Sequence, residues 1–189
     1  MNLKIKEKNI YSQEKALIKH INDQFTSRSI YVSICELGYC VRTKRSIKKG
    51  EIIYRFNGPT ISFDETIRRG ETECMSLQYD HDRYIDTEIP GKFINHSCEP
   101  NAGIINDFDL IALEDLKVHT EIRFDYSTSM DEDHFQMKCE CGKPNCRKIV
   151  TDFKLLPDET KMNYLKAGIV MSFIRKQYLR DGSEHHLND

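Results

Sequence analysis

The stretch FINHSCEPNAG, residues 93–103, gathers Asn95, His96, Cys98 and Asn101 between apolar ends. Side chains of these types form hydrogen bonds, bind metals and carry out proton transfer. Three interpretations compete: a polar surface turn, a catalytic Cys–His pair, or one half of a site that another part of the chain completes. The rest of the sequence has to decide between them.

The composition favours a folded chain and limits its partners. The 189 residues are 39% hydrophobic and 31% charged, with a net charge of −2, as expected for one globular domain with an appendage. Apolar runs such as residues 167–171 are too short to cross a membrane, and the N-terminus lacks the apolar segment of a secretory signal. We therefore expect an intracellular protein, in the cytoplasm or nucleus, with no membrane partner and no direct nucleic-acid partner.

Hydrophobic periodicity predicts a mostly β domain with helices at both ends. Short β-type runs between residues 30 and 62 alternate with turns that contain Gly and Pro. The chain shows no β–α–β alternation, so we expect several small sheets instead of a nucleotide-binding parallel sheet. The other predicted elements are helices over 12–24, 64–69 (capped by Asp64) and 158–180, a hairpin over 76–87, strands within 108–115 and 120–126, and a disordered tail over 181–189.

Three of the seven cysteines crowd into eight residues as Cys139, Cys141 and Cys146. Structural zinc takes four tetrahedral ligands, so a fourth must come from elsewhere, with His134 and Cys98 as candidates. The alternatives are disulfide pairing with one thiol left over, or a chance cluster of free thiols. An odd cysteine total in a reducing compartment favours metal.

The cysteine cluster also bears on the pairing of Cys98 with His96. A nucleophilic cysteine needs a nearby base and, usually, a third group that orients the base. No such orienting residue or oxyanion device stands out near residues 93–103. A metal ligand is therefore the better interpretation of Cys98.

Together these motifs resemble one family. The segments FINHSCEPN, EIRFDY and CECGKPNCR, in this order, are similar to those of the SET-domain protein-lysine methyltransferases with a zinc-binding post-SET module. The segment LGYCVRTKRSIKKGE and the strand RYIDT precede them, as in that family. The resemblance covers roughly residues 30–148, and residues 1–29 and 149–189 have no counterpart.

The resemblance implies a fold and a division of the chain. The fold would be the β-clip of SET domains, with several small sheets around a pseudoknot in which the Asn-His and Phe-Asp-Tyr segments are threaded together. The implied divisions are an N-terminal helical segment (1–29), the SET domain (30–128), a post-SET zinc module (129–150), and a C-terminal helix with its tail (151–189).

The resemblance also implies a cofactor and a metal site. S-adenosylmethionine would be bound, and S-adenosylhomocysteine released, by Gly38, Tyr39, Cys40, Lys92, Asn95 and His96. Zn²⁺ would be bound by Cys98, Cys139, Cys141 and Cys146. The family usually has a second glycine where this chain has Cys40. The Cys40 side chain could narrow the cofactor pocket, or the strand could accommodate it without any effect on the pocket.

The remaining site residues concern the substrate, a lysine-bearing protein or peptide, for which a histone tail is one candidate. By resemblance, Tyr126 is the catalytic tyrosine, Tyr84 lines the lysine channel, and Phe124 favours dimethyl or trimethyl product. The acidic run at residues 131–133 either attracts a basic peptide or is a solvated loop. Two alternatives remain: a non-catalytic SET-like peptide-binding module, which Cys40 would favour, and a methyltransferase for a non-histone peptide or a free amine.

Overall fold

Short antiparallel pairings dominate the structure, a computed structural model that describes residues 2–25, 27–70 and 75–180. Its helices are α1 (Asn2–Gln24), α2 (Phe63–Arg69), α3 (Asp158–Lys166) and α4 (Ser172–Arg180). Its strands are β1 (Ile30–Cys35), β2 (Gly38–Thr43), β3 (Ile52–Arg55), β4 (Thr60–Ile61), β5 (Ser76–Asp80), β6 (Arg83–Asp86), β7 (Asn95–His96), β8 (Ala102–Ile105), β9 (Asp109–Ala112), β10 (Arg123–Phe124), β11 (Met137–Lys138) and β12 (Ile149–Val150).

Within the described ranges these strands form five small sheets, as the sequence predicts. The sheets have the orders β1-β2, β3-β9-β8, β4-β6-β5, β10-β7 and β11-β12. All pairings between these strands are antiparallel except that of β7 with β10, which is parallel. The predicted hairpin over 76–87 is confirmed as β5 and β6, and the predicted strands within 108–115 and 120–126 are β9 and β10.

The parallel pair brings two distant parts of the chain together. Asn95 pairs with Arg123 and His96 with Phe124. The side chain of Asn101 reinforces the pairing, because its Nδ2 donates to the Glu121 carbonyl at 2.8 Å and its Oδ1 accepts from the Arg123 amide at 2.9 Å. Residues 93–103 are therefore neither a surface turn nor an isolated motif, and they contribute half of a structure that residues 121–126 complete.

One apolar core lies beneath these sheets, and the C-terminal segment is part of it. Burial of aliphatic and aromatic side chains is the main stabilising contribution in such a core. Phe153 is fully buried, and Met171 and Ile174 are each 1% exposed, within the same cluster as the strand residues. Residues 149–180, which the resemblance does not cover, are thus integral to the fold.

Three predicted helix boundaries need correction. The first helix runs over Asn2–Gln24, ten residues further toward the N-terminus than the 12–24 predicted. The short helix over Phe63–Arg69 is capped by Ser62, whose side chain accepts from the Glu65 amide, and Asp64 lies inside its first turn.

The third correction concerns residues 158–180, which were predicted as one helix. They form two, α3 and α4, because Gly168 takes a positive φ of 69° after α3 ends at Lys166. Within the described part of the chain, none of the helices is long and apolar enough to span a bilayer. The predicted disordered tail, 181–189, lies outside the described residues.

The contact of Gly103 with Ile169 provides a test of this packing. A Cβ at position 103 would lie 2.7 Å from Cγ2 and 2.9 Å from Cβ of Ile169. We expect Gly103→Ala to lower the free energy of unfolding by about 1–3 kcal/mol, the usual cost of overpacking, as measured by urea denaturation.

The matched control for this variant is a double mutant. Ile169→Ala alone should leave a cavity, which the methyl group of an alanine at position 103 partly fills. The double variant should therefore lose less stability than the sum of the two single losses. Strictly additive losses would contradict contact between β8 and the C-terminal segment.

Candidate functional site

Asn95 lies where three segments of the chain meet. Its Nδ2 is 3.1 Å from the carbonyl oxygen of Tyr39, 3.1 Å from Oε1 of Glu121 and 3.6 Å from Sγ of Cys35. The side chain therefore ties the turn into β2 to the segment that leads into β10. This fixes one wall of the site before any ligand binds.

His96 is a buried, neutral imidazole. Burial lowers its pKa to about 4, with the nearby guanidinium groups of Arg147 and Arg123 acting in the same direction and Asp125 opposing them. Its Nδ1 accepts from the Tyr126 amide at 3.2 Å, which leaves the proton on Nε2, 3.3 Å from Sγ of Cys98. His96 thus positions the backbone of Tyr126, and its contact with Cys98 is a structural hydrogen bond and not that of a nucleophile with its base.

A cavity of about 390 Å³ opens beside Asn95 and His96. This volume falls within the range of about 300–1,000 Å³ typical of small-molecule sites. Of the six predicted cofactor residues, five line it: Gly38, Tyr39, Lys92, Asn95 and His96. The sixth, Cys40, is fully buried and lies outside the lining, so its side chain does not narrow this cavity.

A second, much narrower cavity of about 40 Å³ adjoins the first. Its walls include Phe56, Tyr84, Ile94, Phe124 and Glu132, and Tyr126 lines both cavities. The Oη of Tyr126 donates to the Ile94 carbonyl at 2.8 Å, and its ring lies 4.9 Å from that of Phe124. The three predicted catalytic residues, Tyr84, Phe124 and Tyr126, are therefore brought together in one aromatic channel.

The acidic run at residues 131–133 divides into two parts, which the sequence did not indicate. Asp131 and Asp133 are both paired with Lys154, and Asp131 also accepts from Gln177 on α4. Glu132 instead lines the narrow channel, where its carboxylate accepts a hydrogen bond from Tyr84. Neither a uniformly solvated loop nor a uniform acidic patch describes this segment.

The cysteine cluster has the arrangement of a metal site. The Sγ atoms of Cys98, Cys139, Cys141 and Cys146 all lie within 4.8 Å of one another, and Cys98 and Cys139 are 3.6 Å apart. The amides of Arg147 and Lys148 point at Sγ of Cys98 and Cys146, each at 3.4 Å. Four convergent thiols with N–H donors around them fit tetrahedral zinc.

The other candidate for the fourth ligand, His134, is not part of this cluster. Its ring packs edge-on against Phe63 with 5.5 Å between centroids. Cys98 therefore completes the donor set, as the resemblance implies.

Asp125 connects this cluster to the channel and to the C-terminal helices. Its carboxylate is 1% exposed, lies 2.7 Å from Nη1 of Arg147, and accepts from Nη2 of Arg147 at 2.8 Å and from the hydroxyl of Tyr164 at 2.9 Å. Burial acts to lower the pKa of Arg147, but the bonds to Asp125 outweigh it and raise that pKa. Burial and the same carboxylate raise the pKa of Tyr164.

This network was not predicted from the sequence. Asp125 is part of the EIRFDY motif and Arg147 follows the last cysteine of the cluster, so their proximity could have been suspected. Tyr164 belongs to α3, in a region without family counterpart, and nothing in its sequence context marks it.

Comparisons with known proteins agree on the family of the central segment. A family model described as SET domain matches residues 38–127. The relatives include the mouse "Histone-lysine N-methyltransferase, H3 lysine-36 specific" (35% identical over 58% of this chain). Others are zebrafish "Histone-lysine N-methyltransferase SUV39H1-A" (32% over 60%) and Drosophila melanogaster "Histone-lysine N-methyltransferase Su(var)3-9" (29% over 60%). This chain spans only 5%, 38% and 23% of those relatives' lengths.

Solved structures share the fold. The methyltransferase domain of human histone-lysine N-methyltransferase SETMAR matches with a TM-score of 0.53 and 23% identity, over 65% of this chain and 58% of that one. KRYPTONITE, solved with mCHH DNA, an H3(1-15) peptide and SAH, matches with a TM-score of 0.53 and 24% identity, over 68% and 31% of the two chains. These likenesses identify the SET fold, as the sequence predicted.

Replacing Arg147 tests the network around Asp125. Arg147→Met should cost about 3–5 kcal/mol of stability, because it leaves the buried Asp125 carboxylate without its cation. Tyr164→Phe should cost about 1.5–3 kcal/mol, the range for a hydrogen bond to a charged group. Chemical denaturation of zinc-loaded protein measures both.

Lys143→Met is the matched control, because Lys143 is an exposed cation in the same loop. A surface change of this kind should stay within about 0.5 kcal/mol of the parent protein. Equal losses for Arg147→Met and Lys143→Met would mean that the Asp125 network does not stabilise the fold.

Proposed function

We propose that the protein is an S-adenosylmethionine-dependent protein-lysine N-methyltransferase, because a family model described as SET domain matches residues 38–127. One observation carries the proposal. Tyr126 lines both the broad cavity and the narrow aromatic channel, which is where a cofactor and a lysine side chain would have to meet. The curated relatives named above are histone-lysine N-methyltransferases, which supports the same reaction.

The broad cavity suits the cofactor in size and in polar groups. Its predicted lining residues include an amide (Asn95), an aromatic ring (Tyr39), a flexible cation (Lys92) and the open backbone at Gly38. When bound there, S-adenosylmethionine would supply a methyl group on a sulfonium and leave as S-adenosylhomocysteine. Asn95 is held by Tyr39 and Glu121, so the cavity wall is preorganised.

The narrow channel suits a lysine side chain that must lose its proton. Free lysine has a pKa of about 10.4 and is charged at pH 7. The apolar walls disfavour the charged form, whereas the Glu132 carboxylate and the faces of Phe124, Tyr126 and Tyr84 can hold a cationic or methylated amine. The hydrogen bond from Tyr84 to Glu132 and that from Tyr126 to the Ile94 carbonyl fix the ring positions.

The channel geometry also bears on how many methyl groups are added. Phe124 contributes a buried ring without a hydroxyl, so no polar group at this position fixes the amine or holds a water that would occupy space. This supports dimethyl or trimethyl product.

Zinc would connect residues 129–150 to Cys98 and so to the segment that forms part of the channel. We assign residues 129–150 as a post-SET module, with Cys98, Cys139, Cys141 and Cys146 as thiolate ligands for Zn²⁺. The segment contains few buried apolar side chains of its own, so metal binding would order it. Arg147 then joins it to Asp125, the neighbour of Tyr126.

The substrate we propose is a lysine of a histone or of another protein. Histone H3 is named for relatives, and an H3 peptide is present in the KRYPTONITE structure. An intracellular location, in the cytoplasm or nucleus, suits the free thiols of the described cysteines. The alternative of a non-catalytic binding module depended on Cys40, which lies outside the cofactor cavity, and no other observation favours it.

The first test is methyl transfer from labelled S-adenosylmethionine onto a lysine peptide array that includes histone tails. Tyr126→Phe should lower transfer about 100-fold or more, a common cost of removing one positioned catalytic group. Its affinity for S-adenosylhomocysteine, measured by calorimetry, should stay close to that of the parent protein.

Tyr31→Phe is the control, because the Tyr31 hydroxyl contacts His119 and this side chain lines neither cavity. Its transfer rate should not change. A parent protein that neither binds the cofactor nor labels any peptide would contradict the proposed function.

A second test concerns the product. Phe124→Tyr should shift the product from dimethyl- or trimethyl-lysine to monomethyl-lysine, because the new hydroxyl occupies space in the channel and can hydrogen-bond the amine. Mass spectrometry of the methylated peptide measures the shift. Phe93→Tyr is the control, since Phe93 lines only the broad cavity, and an unchanged product pattern in both variants would refute the role of Phe124.

A further inference from the structure

A second group of metal-binding side chains lies behind the cofactor cavity and is not used by the proposed reaction. Cys35 ends β1, Cys40 lies within β2, and Glu121 approaches the same hairpin through a bridge to Arg42. In the β1–β2 register, Ser33 faces Cys40 and Cys35 faces Gly38. The two cysteines are therefore diagonal neighbours on one face of the hairpin.

The ligand atoms of this group converge as a metal requires. The thiols of Cys35 and Cys40 and a carboxylate oxygen of Glu121 all lie within 4.8 Å of one another. Two thiolates on one tetrahedral zinc lie about 3.8 Å apart, given Zn–S bonds of about 2.3 Å. Neither cysteine is in a disulfide, so both thiols are available as ligands.

The surroundings provide the outer shell that protein metal sites usually have. Asn95 Nδ2 lies 3.6 Å from Sγ of Cys35 and 3.1 Å from Oε1 of Glu121, and Arg123 donates to Oε2 at 2.8 Å. A carboxylate has about four lone-pair sites, so Glu121 can accept both bonds and still bind a metal. Hydrogen-bonded ligands of this kind are typical of metal centres.

Charge and access also permit a bound ion. Two thiolates and a carboxylate carry three negative charges. A bound divalent cation reduces the net charge of the site to −1, which the guanidinium of Arg123 can balance. Glu121 lines an open cleft of about 600 Å³ and Cys35 is only partly buried, so two of the three ligands lie next to solvent. Cys40 is fully buried, which favours retention of the ion.

We propose that Cys35, Cys40 and Glu121 form a second zinc site, separate from the four-cysteine cluster. Three protein ligands leave the fourth tetrahedral position to water, an arrangement that zinc accepts. Asn95 contacts both this site and the cofactor cavity, so an ion here would fix the Asn95 amide. The site is defined by metal binding alone and stands or falls independently of methyl transfer.

Native mass spectrometry of the full chain, kept reduced with a phosphine and equilibrated with Zn²⁺, provides the test. The parent protein should carry two zinc ions. Cys35→Ser, Cys40→Ser and Glu121→Gln should each lose one ion and keep the other. Circular dichroism of each variant checks that the fold is retained, and Cys35→Ser, at the end of β1, is the least disruptive of the three.

Ser33→Ala is the matched control, because Ser33 lies on the same strand and faces Cys40. It should retain both ions. Co²⁺ substitution adds a second readout, since the parent protein should bind a second equivalent whose thiolate-to-metal charge-transfer band disappears in Cys35→Ser. An ion count that is the same in the parent protein and in both cysteine variants would overturn the proposal.

Discussion

The parallel pairing of β7 with β10 is the constraint on which the rest of the structure depends. It joins residues that are 28 positions apart, Asn95 with Arg123 and His96 with Phe124. Because the register is fixed at these two pairs, Asn95 must face β2 while Phe124 and Tyr126 must face the channel. A shift of one strand by one residue would turn its side chains to the opposite face and separate the broad cavity from the aromatic channel.

Asp125 extends this constraint to the remainder of the chain. A carboxylate that is 1% exposed is tolerated only when it is paired and hydrogen-bonded. Its partners come from the cysteine-rich segment (Arg147) and from α3 (Tyr164). The region next to Tyr126 is therefore held in place by two segments that the family model does not match.

Much of this arrangement could be predicted from the sequence, and the remainder depends on contacts between distant segments. Short β runs separated by Gly and Pro turns correctly predicted several small sheets. The Asn-His, Phe-Asp-Tyr and cysteine motifs indicated where the candidate site lies. The division of residues 158–180 at Gly168 was missed because the apolar spacing continues through the break. Likewise, the partners of Asp125 and the gathering of Cys35, Cys40 and Glu121 follow from tertiary packing, which no local pattern encodes.

The close contact of Gly103 with Ile169 has a consequence for how the molecule forms during translation. These residues are 66 positions apart, yet β8 packs directly on the side chain of Ile169. As long as residues 149–180 have not yet emerged during synthesis, the strands would expose this apolar surface, and Asp125 would lack Tyr164. Contacts of such long sequence separation slow folding, and β-sheets whose apolar face is not yet covered by α3 and α4 are prone to associate with other exposed apolar surfaces.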